Sequence, residues 1–421
     1  MSFDIALSGI QAINQQLNST SNNIANAGTY GFKSSRANFS SMYAGSRPTG
    51  TEIGSVTQNM SLNGGVLNTG RALDAAIDGR GYFVSRDGQN TLSYSRVGIF
   101  SASNDGYLVD SSGKKVQGYG AIPGSTALGP MGDLKIPTGQ IPAQASDKLT
   151  YTSNMSADWT TKTGAFSATD NQTYNSLKTS VLYDSLGAKH PLSQYFVKTG
   201  PSSVDVYYTL DDAPLAAGTP NPTKLTFDAK GQLATVNGDA PTNAPPAGTT
   251  PPSDYVPTFA NVALTSNAIP GAAALAFGID YNGTTQFAGE ATTSTDQATG
   301  YASGTYMGVE LANDGSLVAK YSNGSKQNIG TIALANFADE GALTSVNDTS
   351  WIASSTSGTP LYDRPGVGMS GKLATSSLEQ SNVDITSELV GLMTSQRNYQ
   401  ANSKVIQTED TMLQSLMQAL Q

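Results

Sequence analysis

Cysteine is absent from this 421-residue chain, histidine occurs once, tryptophan twice, and charged residues make up only 13%. Without cysteine there is no disulfide staple, thiol nucleophile or iron–sulfur cluster, and one histidine cannot build a His-rich zinc site. Any Ser-His-Asp hydrolase would have to use His190. No run of 18 apolar residues occurs, so no segment reads as a spanning helix. The N-terminus also lacks the basic region and unbroken apolar stretch of a cleavable secretory signal. The 23 basic and 32 acidic residues leave a net charge of -9, which gives the chain as a whole no electrostatic basis for binding nucleic acid or an anionic membrane.

The ends carry a helical period. Phe3, Ala6, Ile10, Ile13, Leu17, Thr20, Ile24 and Ala27 alternate three and four apart, which predicts one apolar seam along roughly 37 Å of helix. Ile385, Leu389, Leu392, Gln396, Tyr399, Ser403, Ile406, Asp410, Leu413, Met417 and Leu420 repeat the spacing over about 53 Å. The polar members Gln396, Ser403 and Asp410 recur at one heptad position, so the seam is weak as a self-sufficient zipper. Asp384 or Ser381 is placed to cap this helix, and Glu388 sits near its positive end. Two readings stand here: a terminal helical hairpin that closes a monomer, or helices completed only by neighbouring subunits.

Between the ends the pattern is that of strands. Residues 33–70 are polar with thinly spread apolar side chains and predict an extended connector or small hairpin. From Ala75 onward, Asp87-Gly88, Asp105-Gly106 and Ser112-Gly113 punctuate short runs suited to antiparallel strands. Asn313-Asp314-Gly315 and Asn323-Gly324 repeat those signals late in the chain, which predicts one discontinuous β-domain with the intervening residues inserted into it. The inserted stretch contains SVLYDS, SVDVYYTL, KLTFDAKGQLA and ALAFGIDY without helical segments between them, as in a barrel or sandwich. It is also proline-rich around residues 241–257 and lacks Lys and Arg from Gly231 to Ala319, predicting an acidic soluble face.

Catalytic chemistry is not indicated. Gly79 and Gly81 form only GxG, without the third glycine or the Lys-Ser/Thr of nucleotide-binding loops. Asp78, Arg80, Arg86 and Asp87 read as solvated or paired surface charges, and no calcium-loop pattern occurs among the acids. His190, in a Gly- and Pro-flanked segment, reads as an exposed turn histidine. No catalytic residue, cofactor or metal ligand is assigned.

The segment SGIQAINQQLNSTSNNIANAGTYGFKSSRANF resembles the N-terminal signature of the bacterial flagellar axial family of rod, hook and hook-filament junction proteins. Asn22, Asn23, Ile24, Ala25, Asn26, Thr29, Gly31, Phe32 and Lys33 match its most specific part. SLEQSNVDITSELVGLMTSQRNYQANSKVIQTEDTMLQSLMQAL resembles the C-terminal signature, with Asn382, Asp384, Glu388, Gln396, Arg397, Tyr399 and Asn402 among the matching positions. Distal rod members are similar at the ends and over LNTGRALDAAIDGRGYFV but lack a large inserted domain. Junction members have a more helical middle. The length and the insertion make the chain similar to the hook branch.

The resemblance implies a non-enzymatic structural subunit in a flexible, curved helical tube that joins the rod to the filament and transmits motor torque. It implies a homopolymer contacting rod proteins at one end and the hook-filament junction protein at the other. It further implies contacts with a hook cap and the flagellar type III export apparatus during assembly, a place in the basal body and extracellular hook, and export without a cleavable signal. The expected architecture is multidomain and mainly β. N- and C-terminal helices form a coiled-coil-like inner domain, and a discontinuous β-domain carries an inserted β-barrel-like outer domain. The expected boundaries are 1–32 for the first helix, 33–70 for the connector, 71–148 and 281–365 for the middle β-domain, 149–280 for the insertion, and 366–421 for a connector and the last helix. Phe3, Ile10, Leu17, Ile24, Ile385, Leu389, Leu392, Tyr399, Ile406, Leu413 and Met417 are the expected polymerisation seam.

Overall fold

The computed structural model describes residues 2–44, 47–122, 127–219, 221–244 and 256–419. Most of the proline-rich stretch 241–257 therefore lies outside the described residues. The chain is mainly β with a helix near each end, α1 at Ser2–Ala25 and α2 at Ile385–Ala419. Asp384 starts α2: its carboxylate accepts the Thr386 amide at 3.0 Å and the Ser387 hydroxyl at 2.8 Å, satisfying a donor that the helix itself leaves open. No described helix is long and apolar enough to cross a membrane.

Two compact units result. One comprises Met1–Thr138, Met307–Lys320 and Lys326–Gln421, and the other Gly139–Tyr306 with Tyr321–Ser325. The insertion is thus wider than 149–280. The strand Lys148–Asn154 pairs in parallel with Ala276–Asp280 and antiparallel with Thr292–Ala298, which draws both flanks into the inserted unit.

In the first unit, residues 33–70, expected as an extended connector or a small hairpin, hold a long hairpin, Ser35–Ala44 against Arg47–Gln58. Its ladder pairs the backbone while one side lies along α1, where Ser8 Oγ accepts the Thr51 amide at 3.3 Å. The stretch before α2 is likewise more than a connector, because Lys372–Thr375 pairs with Ala75–Asp78 and Ser377–Glu379 with Val66–Asn68. The main sheet of this unit includes Tyr82–Arg86, Leu92–Ser95, Lys115–Ala121 and Lys326–Ile332. Tyr82, Tyr94, Phe337 and Trp351 bury their rings edge to face, with Tyr94 and Phe337 centroids 4.7 Å apart.

The second unit has two sheets on one core. Four strands follow the order Val262–Thr265, Ala276–Asp280, Lys148–Asn154, Thr292–Ala298, and six more are built around Lys189–Gly200 and Ser203–Leu210. Leu149, Phe196, Val206, Leu225 and Ile279 are among the buried side chains they share. The acids expected to make a free acidic face are partly paired: Asp280 with Lys148, Asp296 with Lys178 and, in the first unit, Glu310 with Lys320. The lysines come from outside the Lys-free stretch, so a local charge count missed them.

Candidate functional site

The two terminal helices run antiparallel. Asn23 Nδ2 donates to Glu388 Oε1 at 2.8 Å, and a Cβ built on Gly9 would lie 2.8 Å from Asn402 Nδ2. Both contacts join positions whose numbers sum to 411, so Ser2 falls opposite Glu409 and the stretch from Asp410 to Ala419 runs beyond α1. The atoms such a Cβ would meet all belong to the Asn402 amide, so glycine at position 9 leaves room for that side chain at the crossing.

The expected seam is divided by this arrangement. On α1, Ala6, Gly9, Ala12, Ile13 and Thr20 are buried, Ile10, Leu17 and Ile24 half-buried, and Phe3 exposed. On α2 the sheltered positions are Glu388, Gly391, Leu392, Ser395, Asn402, Ser403, Ile406 and Glu409. Ile385, Leu389, Tyr399, Leu413 and Met417 remain exposed, together with Val390, Met393, Met412 and Leu416. The internal contact therefore combines small and polar side chains with Leu392 and Ile406, and leaves an apolar edge that includes Leu389, Met393, Leu413 and Met417 open. Leu420 lies outside the described residues. Gln396 and Arg397 are exposed as well.

Below the helices lies a clamp made by the two terminal segments. Asn23 Oδ1 accepts the Ser35 amide at 2.9 Å while its Nδ2 also donates to Ser35 O at 2.8 Å, closing the turn after α1. Asn26 contributes to that turn by donating to Asn22 O at 2.9 Å and accepting from the Thr29 hydroxyl at 3.1 Å. Gly31 has φ +66°, and a Cβ there would meet Val97 and the Arg96 backbone at 3.0 and 3.1 Å. Its amide donates to Glu379 O at 2.8 Å, and Asn382 N donates to Phe32 O at 3.3 Å. Asn382 Oδ1 takes the Ser34 amide at 2.7 Å, and its Nδ2 reaches Asn59 O and Leu62 O at 2.9 and 3.0 Å.

At the centre of the clamp, Lys33 Nζ donates to Glu379 Oε1 at 2.8 Å and to Leu62 O at 2.8 Å. Arg96 approaches Glu379 Oε2 at 3.4 Å and stacks over Tyr82 with 5.1 Å to the ring centroid. Lys33, Arg96 and Glu379 are all buried. Burial drives the Lys33 ammonium below its ordinary pKa against the pull of Glu379. Lys33 and Asn382 belong to the recognised motifs, but the roles of Arg96 and Glu379 were not legible, since nothing local marks a partner hundreds of positions away.

A polar cleft of about 500 Å³ between α1, the hairpin and the start of α2 is lined by Gln16, Thr20, Arg36, Gln58 and Glu388. Its one carboxylate is held by Asn23, so the cleft offers no pair for acid–base chemistry. Arg80 and Arg86 are paired with Glu340 and Asp133. Among the described residues no three His, Asp or Glu side chains are grouped to hold a metal ion.

Family models match four stretches. They are the flagellar basal body rod protein over residues 3–33, the FlgE/F/G D1 domain of flagellar hook protein over 76–153, the FlaE D2 domain of flagellar basal body protein over 149–301, and the FlgEFG C-terminal region of flagellar basal body rod protein over 374–419. The flagellar hook protein FlgE of Salmonella typhimurium is 35% identical over 99% of both chains. That of Escherichia coli is 34% identical over 99% of both, and that of Brucella suis 31% over 98% of this chain and 96% of its own.

The chain belongs to the flagellar hook protein family.

It is accordingly a structural protein of the hook and basal body, involved in motility, and not an enzyme. The first family match covers α1 from Phe3 and the last covers all of α2, and together they include the clamp residues Asn23, Lys33, Glu379 and Asn382. The crystal structure of Helicobacter pylori flagellar hook protein FlgE2 aligns over 75% of this chain and 100% of its own, at 12% identity and a TM-score of 0.49.

Proposed function

We propose that the chain polymerises through α1 and α2 into a flexible, curved tube that joins the basal-body rod to the filament and transmits motor torque. The observation that carries this reading is the apolar edge of α2, where Leu389, Met393, Leu413, Leu416 and Met417 are each close to half exposed or more. Part of that edge lies past the end of α1, and a single chain leaves it in water. A second copy of the helix pair supplies a matching apolar surface, so that association of copies buries what folding of one copy cannot.

In this reading the tube is a homopolymer that meets rod proteins at one end and a hook-filament junction protein at the other. Export through the flagellar type III apparatus and assembly beneath a hook cap suit terminal helices with thin, partly polar internal contacts. Such helices unfold at low cost and complete themselves on arrival. Low charge in the polymer's contacting surfaces permits many modest contacts to re-form as the tube bends. Electron microscopy of purified protein under polymerising conditions tests the proposal: tubes support it, and persistent monomers or straight fibres contradict it.

A further inference from the structure

We propose that His190 is a pH-operated staple within the inserted unit, tying the Asp184 turn to the Asp211–Asp212 turn only while its imidazole is protonated. The chain's single histidine is not in an exposed turn. It opens the strand Lys189–Gly200, paired opposite Leu182, with only 12% of its side chain exposed. Nδ1 lies 2.6 Å from Asp211 Oδ2, and Nε2 lies 3.4 Å from Asp184 Oδ2. Both ring nitrogens thus face carboxylates, which only accept. Satisfying both requires two N–H groups, and only the imidazolium has two.

The Asp211 side of the staple needs such support. Leu210 pairs with Ala213 across a two-residue turn in which Asp211 and Asp212 have φ of 51° and 59°. That backbone is the one for which Asn-Gly is favoured, and here two carboxylates occupy it side by side. Asp184 is differently placed: it is buried, and its other oxygen accepts the Leu186 and Ala188 amides at 2.9 and 2.8 Å. The charged groups around the ring are therefore Asp184 from the preceding turn and Asp211 from the facing turn, with exposed Asp212 and Lys189 next to them in sequence. A cation at the centre offsets the carboxylates, whereas a neutral ring keeps one hydrogen bond and releases the other.

The two carboxylates outweigh the desolvation of the ring and raise the His190 pKa above its ordinary value. A raised histidine contributes stability that is fully present below about pH 6.5 and is lost as pH climbs through the folded-state value. The full-length chain gives one histidine Cε1–H resonance, so its NMR titration reads this group directly. The staple predicts a midpoint above about 6.5, shifted down in D211N. It also predicts a melting temperature that falls over this range in the wild type, with the fall removed in H190Q. A wild-type midpoint at or below 6.5 overturns the proposal even if neither variant folds, as does an undiminished fall in H190Q.

Discussion

Lys33 Nζ and Glu379 Oε1 stand 2.8 Å apart, with 0% and 1% of their side chains exposed, although 346 positions separate them in sequence. One carboxylate serves two buried cations, because Arg96 reaches its other oxygen. This contact ties the segment after α1 to the segment before α2 and to the β-sheet at once.

Replacing Glu379 with Gln leaves Lys33 and Arg96 without their counter-charge. The loss is about 3–5 kcal/mol, the usual consequence of removing one partner from a buried pair. Urea unfolding read from Trp351, in a Trp159→Phe background, measures it in the unit that holds the clamp. A change below about 1 kcal/mol would show that the pair is dispensable.

Asn382→Ala removes one acceptor and two donor contacts that hold Ser34, Asn59 and Leu62 in place. Leu62 O keeps its bond from Lys33 and the two donor contacts are open to water, so a cost of about 1 kcal/mol follows, mainly from the Ser34 amide. The same urea experiment gives the value, and the Trp159 signal of the other unit, read in a separate Trp351→Phe background, stays unchanged.

Gly9→Leu sets a bulky side chain against Asn402 at the helix crossing. In isolation leucine favours helix more than glycine does, by somewhat under about 1 kcal/mol. Contact wins over propensity here, and circular dichroism of the full chain is expected to show reduced, not increased, helix content.

Both terminal helices and the discontinuous β-domain were legible because their signals are local: a three-and-four spacing at the ends, and Asp-Gly or Asn-Gly turns between short strands. Which side of α2 faces α1 was not. Leu389 and Leu413 dominate any reading of apolar period, yet the internal contact goes to Gly391, Ser395 and Asn402, whose small or polar side chains allow close approach. The motif asparagines 23 and 382 were visible as motif members, but spacing does not encode their work: Asn23 closes the turn to Ser35 and reaches the Glu388 carboxylate, and Asn382 binds backbone groups of distant segments. His190 was misread for the same reason, since its partner Asp211 arrives through strand pairing. The hairpin over residues 35–58 was one of two alternatives its polar sequence left open, an extended connector or a small hairpin; its length and its packing along α1 were not legible.

Acid should weaken the inserted unit through Asp280. Burial pushes this carboxyl up, but Lys148 Nζ at 2.8 Å and the Asn282 amide outweigh it and hold its pKa below the ordinary value. A lowered carboxylate contributes stability present above its unfolded value, near 3.8, and lost as pH falls through the folded one. Thermal melts between pH 5 and about 2.5 should therefore show a smaller acid-induced drop in Asp280→Asn than in the wild type.

The central claim is that the exposed edge of α2 exists for other copies of the chain. Leu389 lies on that edge at 47% exposure, whereas Ile406 is half-buried. Asp at position 406 would damage the single chain as well as any assembly, so Leu389→Asp is the cleaner probe. Electron microscopy of Leu389→Asp and wild-type protein under the same polymerising conditions, alongside matched circular dichroism and melting curves, is the direct test. The account predicts tubes from the wild type and none from a variant that folds equally well. Normal tubes from Leu389→Asp would contradict it.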